Sequence, residues 1–127
     1  MKKIIAIAAA IAALFVTFSC VQQEGDFMYD VEVSFFDNFD VLSRSFDKAF
    51  ESAGCTNVSG HWMLNGEKNS CDKKVKEAFL ARAKDIDLNR DAQEGMVKLL
   101  DLKGETVTLK AQWGADKYDL ASYTFTK

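Results

Sequence analysis

The sequence predicts an α+β domain of two layers, with two helices packed on one face of a mostly antiparallel sheet. Three patterns support this fold class: alternation of apolar and polar residues over 27–36, helical periods over 39–53 and 71–85, and renewed alternation toward the carboxyl end. The predicted order is β-α-α-β-β-β. Because strands and helices are segregated along the chain, an α+β arrangement is expected rather than alternating βαβ units.

The first predicted element is a half-buried strand over residues 27–36. Its odd-numbered positions are apolar and its even-numbered positions are mostly polar, as expected when one face is covered and the other is wet. Asp37 and Asn38 interrupt this pattern and suit the start of a helix. That helix is predicted over 39–53, before Gly54, with an apolar stripe of Phe39, Leu42, Phe46, Phe50 and Ala53.

A segment rich in turn residues runs from Cys55 to Cys71. Gly60 and the Asn65-Gly66 pair are turn signals, so the segment is predicted to be a loop. The second helix is predicted over about 71–85. Its apolar side is formed by Val75, Phe79, Ala83 and Ile86.

Three strands complete the prediction. Residues 96–102 and 106–113 flank a turn and are predicted to pair as a hairpin. A third helix over the first of these segments is the alternative, which Gly95 would disfavour by ~1 kcal/mol relative to Ala. The last strand is predicted over 118–126. The Thr, Lys and Gln side chains of 106–112 are expected to form the wet face of the sheet.

Composition limits the classes of partner. The chain has 127 residues, enough for one domain, and contains no proline. Its formal net charge is -3, and loss of Lys2 and Lys3 with the first 19 residues would leave 14 basic against 19 acidic residues. An acidic domain lacks the clustered basic surface that neutralises phosphates, so no nucleic-acid partner is predicted.

The amino-terminal residues have the features of an export signal. Lys2 and Lys3 precede an apolar run over 4–18 in which Thr17 is the one polar residue. As a helix this run would span about 22 Å, short of the ~30 Å hydrocarbon core of a bilayer. The run therefore predicts a signal peptide rather than a membrane-spanning helix.

The junction Thr17-Phe18-Ser19-Cys20 resembles the lipobox of bacterial lipoproteins, although that pattern prefers Leu and a small residue where Thr17 and Phe18 stand. The resemblance covers residues 1–20. It implies cleavage before Cys20, acylation of the Cys20 sulfur and a lipid anchor in the bacterial cell envelope. The residue after the cysteine is Val21 and not an aspartate, which resembles the sorting signal of lipoproteins sent to the outer membrane rather than kept at the inner membrane. The alternative is ordinary secretion, with Cys20 as an incidental terminal residue.

This interpretation divides the chain into a signal peptide over 1–19, a lipidated cysteine with a short polar tether over 20–26, and one domain over 27–127. The cysteine count agrees with it, because three cysteines in an exported protein leave one thiol unpaired. Lipidation of Cys20 leaves Cys55 and Cys71, which are predicted to form a disulfide in the oxidising envelope. Closing that interval would stabilise the fold by roughly 3 kcal/mol in the chain-entropy model.

Residues able to support catalysis or metal binding are few. His61 is the single histidine, and its spacing from Cys55 and Cys71 matches no familiar zinc site. Nothing in the sequence joins His61 to a nucleophile and an orienting carboxylate. We therefore predict no catalytic residue, no enzymatic activity and no cofactor.

The end of the second helix partly resembles a calcium-binding loop. Asp87, Asn89 and Asp91 place oxygen atoms at alternate positions, as at the opening of a calcium loop. However, Ala92 stands in the place of the turn glycine and Lys98 in the place of the bidentate glutamate. The sequence therefore predicts a solvated loop and no metal.

The second helix is basic on one side. Its outer side chains include Lys73, Lys74, Lys76, Arg82 and Lys84. A solvated surface is the favoured interpretation, and contact with lipid headgroups is the alternative.

Two functions remain as hypotheses. The favoured one is a non-catalytic protein-interaction or accessory module, held at a membrane by lipid on Cys20, with His61, Trp62 and Met63 as an interaction loop. For Trp62 we give equal weight to the alternative that its ring packs in the core. The alternative function is a carrier of a small apolar ligand, which needs a pocket of ~300 Å³ or more between helix and sheet. That pocket would be lined by Phe39, Phe46, Phe50 and Phe79.

Overall fold

The computed structural model describes residues 24–34 and 39–127. Two short 3₁₀ helices, Arg90–Ala92 and Gly95–Leu99, follow the longest helix. The main elements, in chain order, are β1 Glu24–Val33, α1 Phe39–Arg44, α2 Asp47–Ser52, β2 Thr56–Val58, β3 His61–Glu67, α3 Lys68–Leu88, β4 Thr106–Trp113 and β5 Asp116–Thr124. The predicted signal peptide, the predicted lipid site at Cys20 and residues 21–23 of the predicted tether lie outside the described residues.

The strands form one antiparallel sheet in the order β2-β3-β1-β4-β5. Strand β1 is central, and it pairs with β3 from Glu24 opposite Glu67 to Tyr29 opposite Trp62. On its other side β1 pairs with β4, where Met28 lies opposite Gln112. The predicted α+β class with a largely antiparallel sheet is therefore confirmed.

Strand β1 alternates between buried and more exposed side chains. Phe27 and Tyr29 are fully buried on the helix side, whereas Asp26 is exposed on the other side. The inward side chains of β4, Val107 and Leu109, are fully buried as well. The polar side chains of β4 face away from the helices, as predicted.

Helix α3 covers the inner face of the sheet and contacts β1, β3, β4 and β5. It begins at Lys68 because the carboxylate of Glu67 accepts hydrogen bonds from the backbone N–H groups of Asn69 and Ser70, both at 3.0 Å. Its buried apolar residues recur at the predicted helical spacing. They are Cys71, Val75, Phe79, Ala83 and Ile86.

Aromatic rings fill the space between the layers. Phe46 stacks on Phe79 with ring centroids 5.0 Å apart, and Phe50 stacks on Trp62 at 5.5 Å. These four side chains are buried. Close stacking of this kind adds to the free energy gained from burying the rings.

The single helix predicted over 39–53 is wrong, because the chain forms α1 and α2 with a break between them. At the break the Ser45 hydroxyl donates to the Leu42 carbonyl, and the Phe46 N–H bonds the Ser43 carbonyl in a 3₁₀ pattern. A serine side chain that bonds nearby backbone carbonyls competes with the helical ladder and favours such a bend.

The strand predicted over 96–102 is also wrong. Gly95 opens a 3₁₀ helix with a positive φ of 55°, and within that helix only Val97 is buried. Met96 and Leu99 are exposed, so the segment has no continuous face to bury in a sheet. The hairpin forms instead between β4 and β5.

Two strands were missed inside the Cys55–Cys71 interval. β2 and β3 occupy most of the segment predicted as a loop. The chain order is therefore β-α-α-β-β-α-β-β, which corrects the predicted β-α-α-β-β-β order. At the amino-terminal end, β1 starts at Glu24, so residues 24–26 of the predicted tether are part of the sheet.

Among the described residues, no helix is long and apolar enough to cross a membrane.

Candidate functional site

The predicted interaction loop at His61, Trp62 and Met63 is the start of strand β3 and not a loop. Side chains alternate along a strand, so His61 points to the wet face and Trp62 to the helix layer. His61 is exposed, Trp62 is 9% exposed and Met63 is half-buried. The ring of Trp62 therefore belongs to the core, through its stacking on Phe50.

His61 has one hydrogen-bond partner among the described residues. Its Nδ1 lies 2.9 Å from Oδ1 of Asp30 on β1, and about half of each side chain is in solvent. Asp72, the first buried carboxylate of α3, lies on the opposite face of the sheet, where it accepts a hydrogen bond from Tyr29. The structure therefore gives His61 a carboxylate partner in Asp30 and keeps Asp72 away from it.

Cys55 and Cys71 are both buried at the same end of the molecule, where α2 ends and α3 begins. The structure has both as free thiols, so their pairing stays a prediction. Burial is the main reason why the pKa of the Cys55 thiol is raised to about 11, and electrostatic repulsion from the neighbouring Cys71 adds to it. Gly66 leaves room for the pair, because a Cβ at that position would lie 3.0 Å from the Cys71 sulfur.

Asp72 is a buried carboxylate that joins the two layers. It accepts hydrogen bonds from the hydroxyls of Tyr29 at 2.7 Å and Tyr118 at 2.8 Å, and Lys68 donates to it at 3.2 Å. Burial, followed by the hydrogen bond to Asp72, raises the pKa of both tyrosine hydroxyls above the usual range. Both tyrosines are therefore neutral donors at physiological pH.

Asp87 has the same role at the other end of α3. Its carboxylate accepts from the Tyr123 hydroxyl at 2.7 Å, from Thr126 Oγ1 at 2.8 Å, and from the backbone N–H groups of Thr126 and Lys127 at 3.1 Å. Burial alone would raise the pKa of Asp87, but these donors together hold it below its ordinary value. The carboxylate therefore fastens the carboxyl end of the chain to α3.

These contacts bear on the calcium loop considered above. Asp87, its first oxygen donor, faces the sheet and is occupied by protein donors. Within 24–34 and 39–127, no three His, Cys, Asp or Glu side chains gather closely enough to hold a metal ion.

Sequence reasoning missed the roles of Asp72 and Asp87, although a signal for them exists. Both fall on the side of α3 that carries its buried apolar residues. A carboxylate buried at such a position needs hydrogen-bond donors, and inward-facing tyrosines on the strands supply them. The pattern does not reveal which tyrosine meets which aspartate, because that depends on strand register.

A surface groove of ≈ 840 Å³ lies between the α1–α2 junction and the carboxyl end of α3. Arg82 crosses its floor, donating to the Ser45 carbonyl at 2.8 Å and to Asp85 at 2.9 Å. The lining carries both signs of charge. It comprises Arg44, Ser45, Asp47, Lys48, Arg82, Asp85, Asn89, Ala92, Gln93, Glu94 and Val97.

Exposed apolar side chains stand beside this groove in the sequence. Met96 and Leu99 flank the lining residue Val97, and they are 49% and 69% exposed. Large apolar side chains with this much exposure are a feature of binding surfaces when they lie together. The groove and these side chains are the binding-surface candidate in the described part of the chain.

Comparison of the chain with protein-family models, with curated proteins and with solved structures found no match.

Proposed function

We propose that the protein is a small lipid-anchored cell-envelope protein whose domain is a non-catalytic module that binds another protein. The anchor part rests on the sequence at Cys20 and its resemblance to a lipobox. Two or more acyl chains make a stable anchor, since each buried CH₂ contributes ~0.8 kcal/mol. The outer membrane is the proposed location.

One observation carries the non-catalytic part. The two most deeply placed carboxylates, Asp72 and Asp87, have their oxygens engaged by tyrosine, threonine and backbone donors. A general acid or base must reach a substrate proton from a cleft. These carboxylates instead hold elements of the fold together, and His61 pairs with Asp30 on an open sheet face.

The carrier hypothesis receives less support than the interaction module. Phe46 and Phe79 stack on each other, and Phe50 stacks on Trp62, so the faces of these rings meet protein atoms. All four side chains are at most 9% exposed. Phe50 and Trp62 do line a surface pocket of ≈ 380 Å³, but most of its other lining residues are polar, whereas a carrier of an apolar ligand would need a mainly apolar lining.

The groove beside α3 is the proposed binding surface. It is lined by two arginines, and exposed Met96 and Leu99 are in the same 3₁₀ helix as its lining residue Val97; arginine and methionine are enriched at protein interfaces. Its mixed charge suits a partner that presents both signs of charge around an apolar centre.

Site-specific photo-crosslinking in the native envelope tests this function. A photoreactive phenylalanine analogue replaces exposed Leu99 beside the groove, and the matched control replaces Ser122 on the wet face of β5. We expect a discrete crosslinked partner from position 99 and none from position 122. Absence of a crosslink at position 99, or the same crosslinks from both positions, would contradict the proposed surface.

The anchor is tested separately by feeding cells with labelled palmitate. We expect label in the wild-type protein and none in the Cys20→Ser variant. Equal labelling of the two proteins would exclude Cys20 as the lipid site.

A further inference from the structure

We propose that the exposed lysine face of α3 lies on anionic lipid headgroups when the protein is anchored. We call this surface the lysine face and define it by Lys73, Lys74 and Lys76, all in the first half of the helix. The inference rests on the proposed lipid anchor, and it specifies which part of the domain the membrane meets.

The lysine face is strongly charged and is not neutralised within the protein. All three lysines are exposed, and none lies within ion-pair distance of a carboxylate in the described part of the chain. Glu77 is the one exposed acidic residue among them, since Asp85 is paired with Arg82 at 2.9 Å. The outer side of α3 therefore carries a net positive charge.

The opposite side of the molecule, the wet face of the sheet, carries negative charge. Asp26, Asp30 and Glu32 project from β1 on the wet face of the sheet, together with Asp119 of β5. Lys110 and Lys117 are the lysines on this face, and Lys110 is already engaged by Glu32 and Asp119, so the four carboxylates leave the face with a net negative charge. An anionic surface would attract the helix side of the domain and repel the sheet side.

The point of attachment brings the lysine face to the bilayer. Three residues, 21–23, separate Cys20 from Glu24, so the first residue of β1 lies within about 14 Å of an anchored Cys20. Glu24 pairs with Glu67, the residue that caps α3. Lys73 to Lys76 lie about 9 to 14 Å along the helix axis from Glu67. The three lysines nearest the tether therefore lie at the end of the domain that an anchored Cys20 holds to the membrane.

The remaining end of the molecule would then face away from the membrane. Helix α3 has 21 residues and a length of about 31 Å, and it ends beside Asn89 and the groove-lining residue Gln93. Docking through the first half of α3 leaves that end accessible to a protein partner. This orientation is consistent with the proposed binding surface without depending on it.

Lysine acetylation in vesicles tests the inference. The purified lipid-bearing protein is placed in phosphatidylcholine vesicles with and without phosphatidylglycerol, treated with an acetylating reagent, and digested for mass spectrometry. We expect acetylation of Lys73, Lys74 and Lys76 to slow at least about fivefold in the anionic vesicles, the gain expected per lysine at such a surface. Lys98 and Lys103, at the far end, should be unaffected, and high salt should abolish the protection.

Charge reversal supplies the matched control. The double variant Lys73→Glu, Lys76→Glu should remove the protection of Lys74. The control double variant Lys98→Glu, Lys103→Glu changes the net charge by the same amount and should leave Lys74 protected. Equal reactivity of Lys73, Lys74 and Lys76 in both kinds of vesicle would overturn the inference. Protection that follows protein density instead of lipid charge would also overturn it, and would assign this face to contact between copies of the chain.

The same preparation distinguishes failure of this inference from failure of the lipid anchor. An intact mass without acyl chains contradicts the anchor itself. An acylated protein whose lysines react equally in both lipids contradicts only the docking of the lysine face.

Discussion

The hydroxyl of Tyr29 lies 2.7 Å from Oδ1 of Asp72, and this hydrogen bond joins the central strand to the beginning of the longest helix. The other oxygen of the same carboxylate accepts from Tyr118 on the edge strand β5. Tyr29 is fully buried and Asp72 is 7% exposed. One carboxylate therefore fixes how α3 lies across three strands.

Removal of this carboxylate should destabilise the fold. Asp72→Ala should lower the free energy of unfolding by about 2 to 4 kcal/mol, because two tyrosine hydroxyls lose their acceptor and one of them is fully buried. Urea unfolding measures the change. Exposed Asp119→Ala is the control and should cost less than about 1 kcal/mol. Similar losses in the two variants would contradict a special role for Asp72.

The carboxylate of Asp87 should contribute a pH dependence. Because its pKa is depressed in the folded state, its stabilising effect is present above the unfolded pKa of about 3.9 and is lost as pH falls through the folded value. The stability difference between wild type and Asp87→Asn should therefore be large at neutral pH and shrink below about pH 4. Urea unfolding across this range measures it, and a difference that does not change with pH would contradict the assignment.

The pair Cys55 and Cys71 should be oxidised in protein purified from its native envelope. Intact mass should rise by two hydrogens on reduction, and the reduced form should unfold at lower urea, with a loss of roughly 3 kcal/mol. After reduction, burial and a pKa of about 11 should keep Cys55 nearly unreactive toward iodoacetamide until the protein unfolds. An unchanged mass on reduction would rule out the disulfide.

Trp62 should behave as a core residue. Trp62→Ala should lower the free energy of unfolding by about 3 to 5 kcal/mol, because it leaves a cavity beside Phe50. His61→Gln, on the neighbouring exposed position, should cost less than about 1 kcal/mol, because its pairing with Asp30 is exposed. If Trp62→Ala leaves stability unchanged, the ring is not packed as described.

The sequence was sufficient to predict the type of an element where one face of that element is buried along its whole length. Alternation around Tyr29 predicted β1, and the spacing of Val75, Phe79 and Ala83 predicted α3. In both elements the burial pattern and the chain period agree, so local and tertiary preferences favour the same structure.

The missed strand β3 shows why turn residues alone mislead. Trp62 and Leu64 alternate with His61 and Asn65, which is a strand pattern, but the turn signal at Asn65-Gly66 favoured a loop. Gly66 instead allows the Cys71 sulfur to approach the strand closely. A glycine required by a contact from another element cannot be told from a turn glycine by its neighbours in the chain.

The groove beside α3 was not predictable from the sequence because its lining residues come from distant parts of the chain. Ser45 and Arg82 meet through a hydrogen bond across 37 positions. Asp72 and Asp87 likewise find donors that only the strand register brings to them. Side-chain identity predicts that such groups need partners, but only the packing of α3 on the sheet determines which partners they meet.

Intact mass of the protein purified from its own membrane is the most direct measurement of the central proposal. We predict a species that begins at Cys20 and is heavier than residues 20–127 by the mass of its acyl chains. An unmodified species recovered from the aqueous fraction would contradict the lipid anchor and, with it, the proposed orientation at the bilayer.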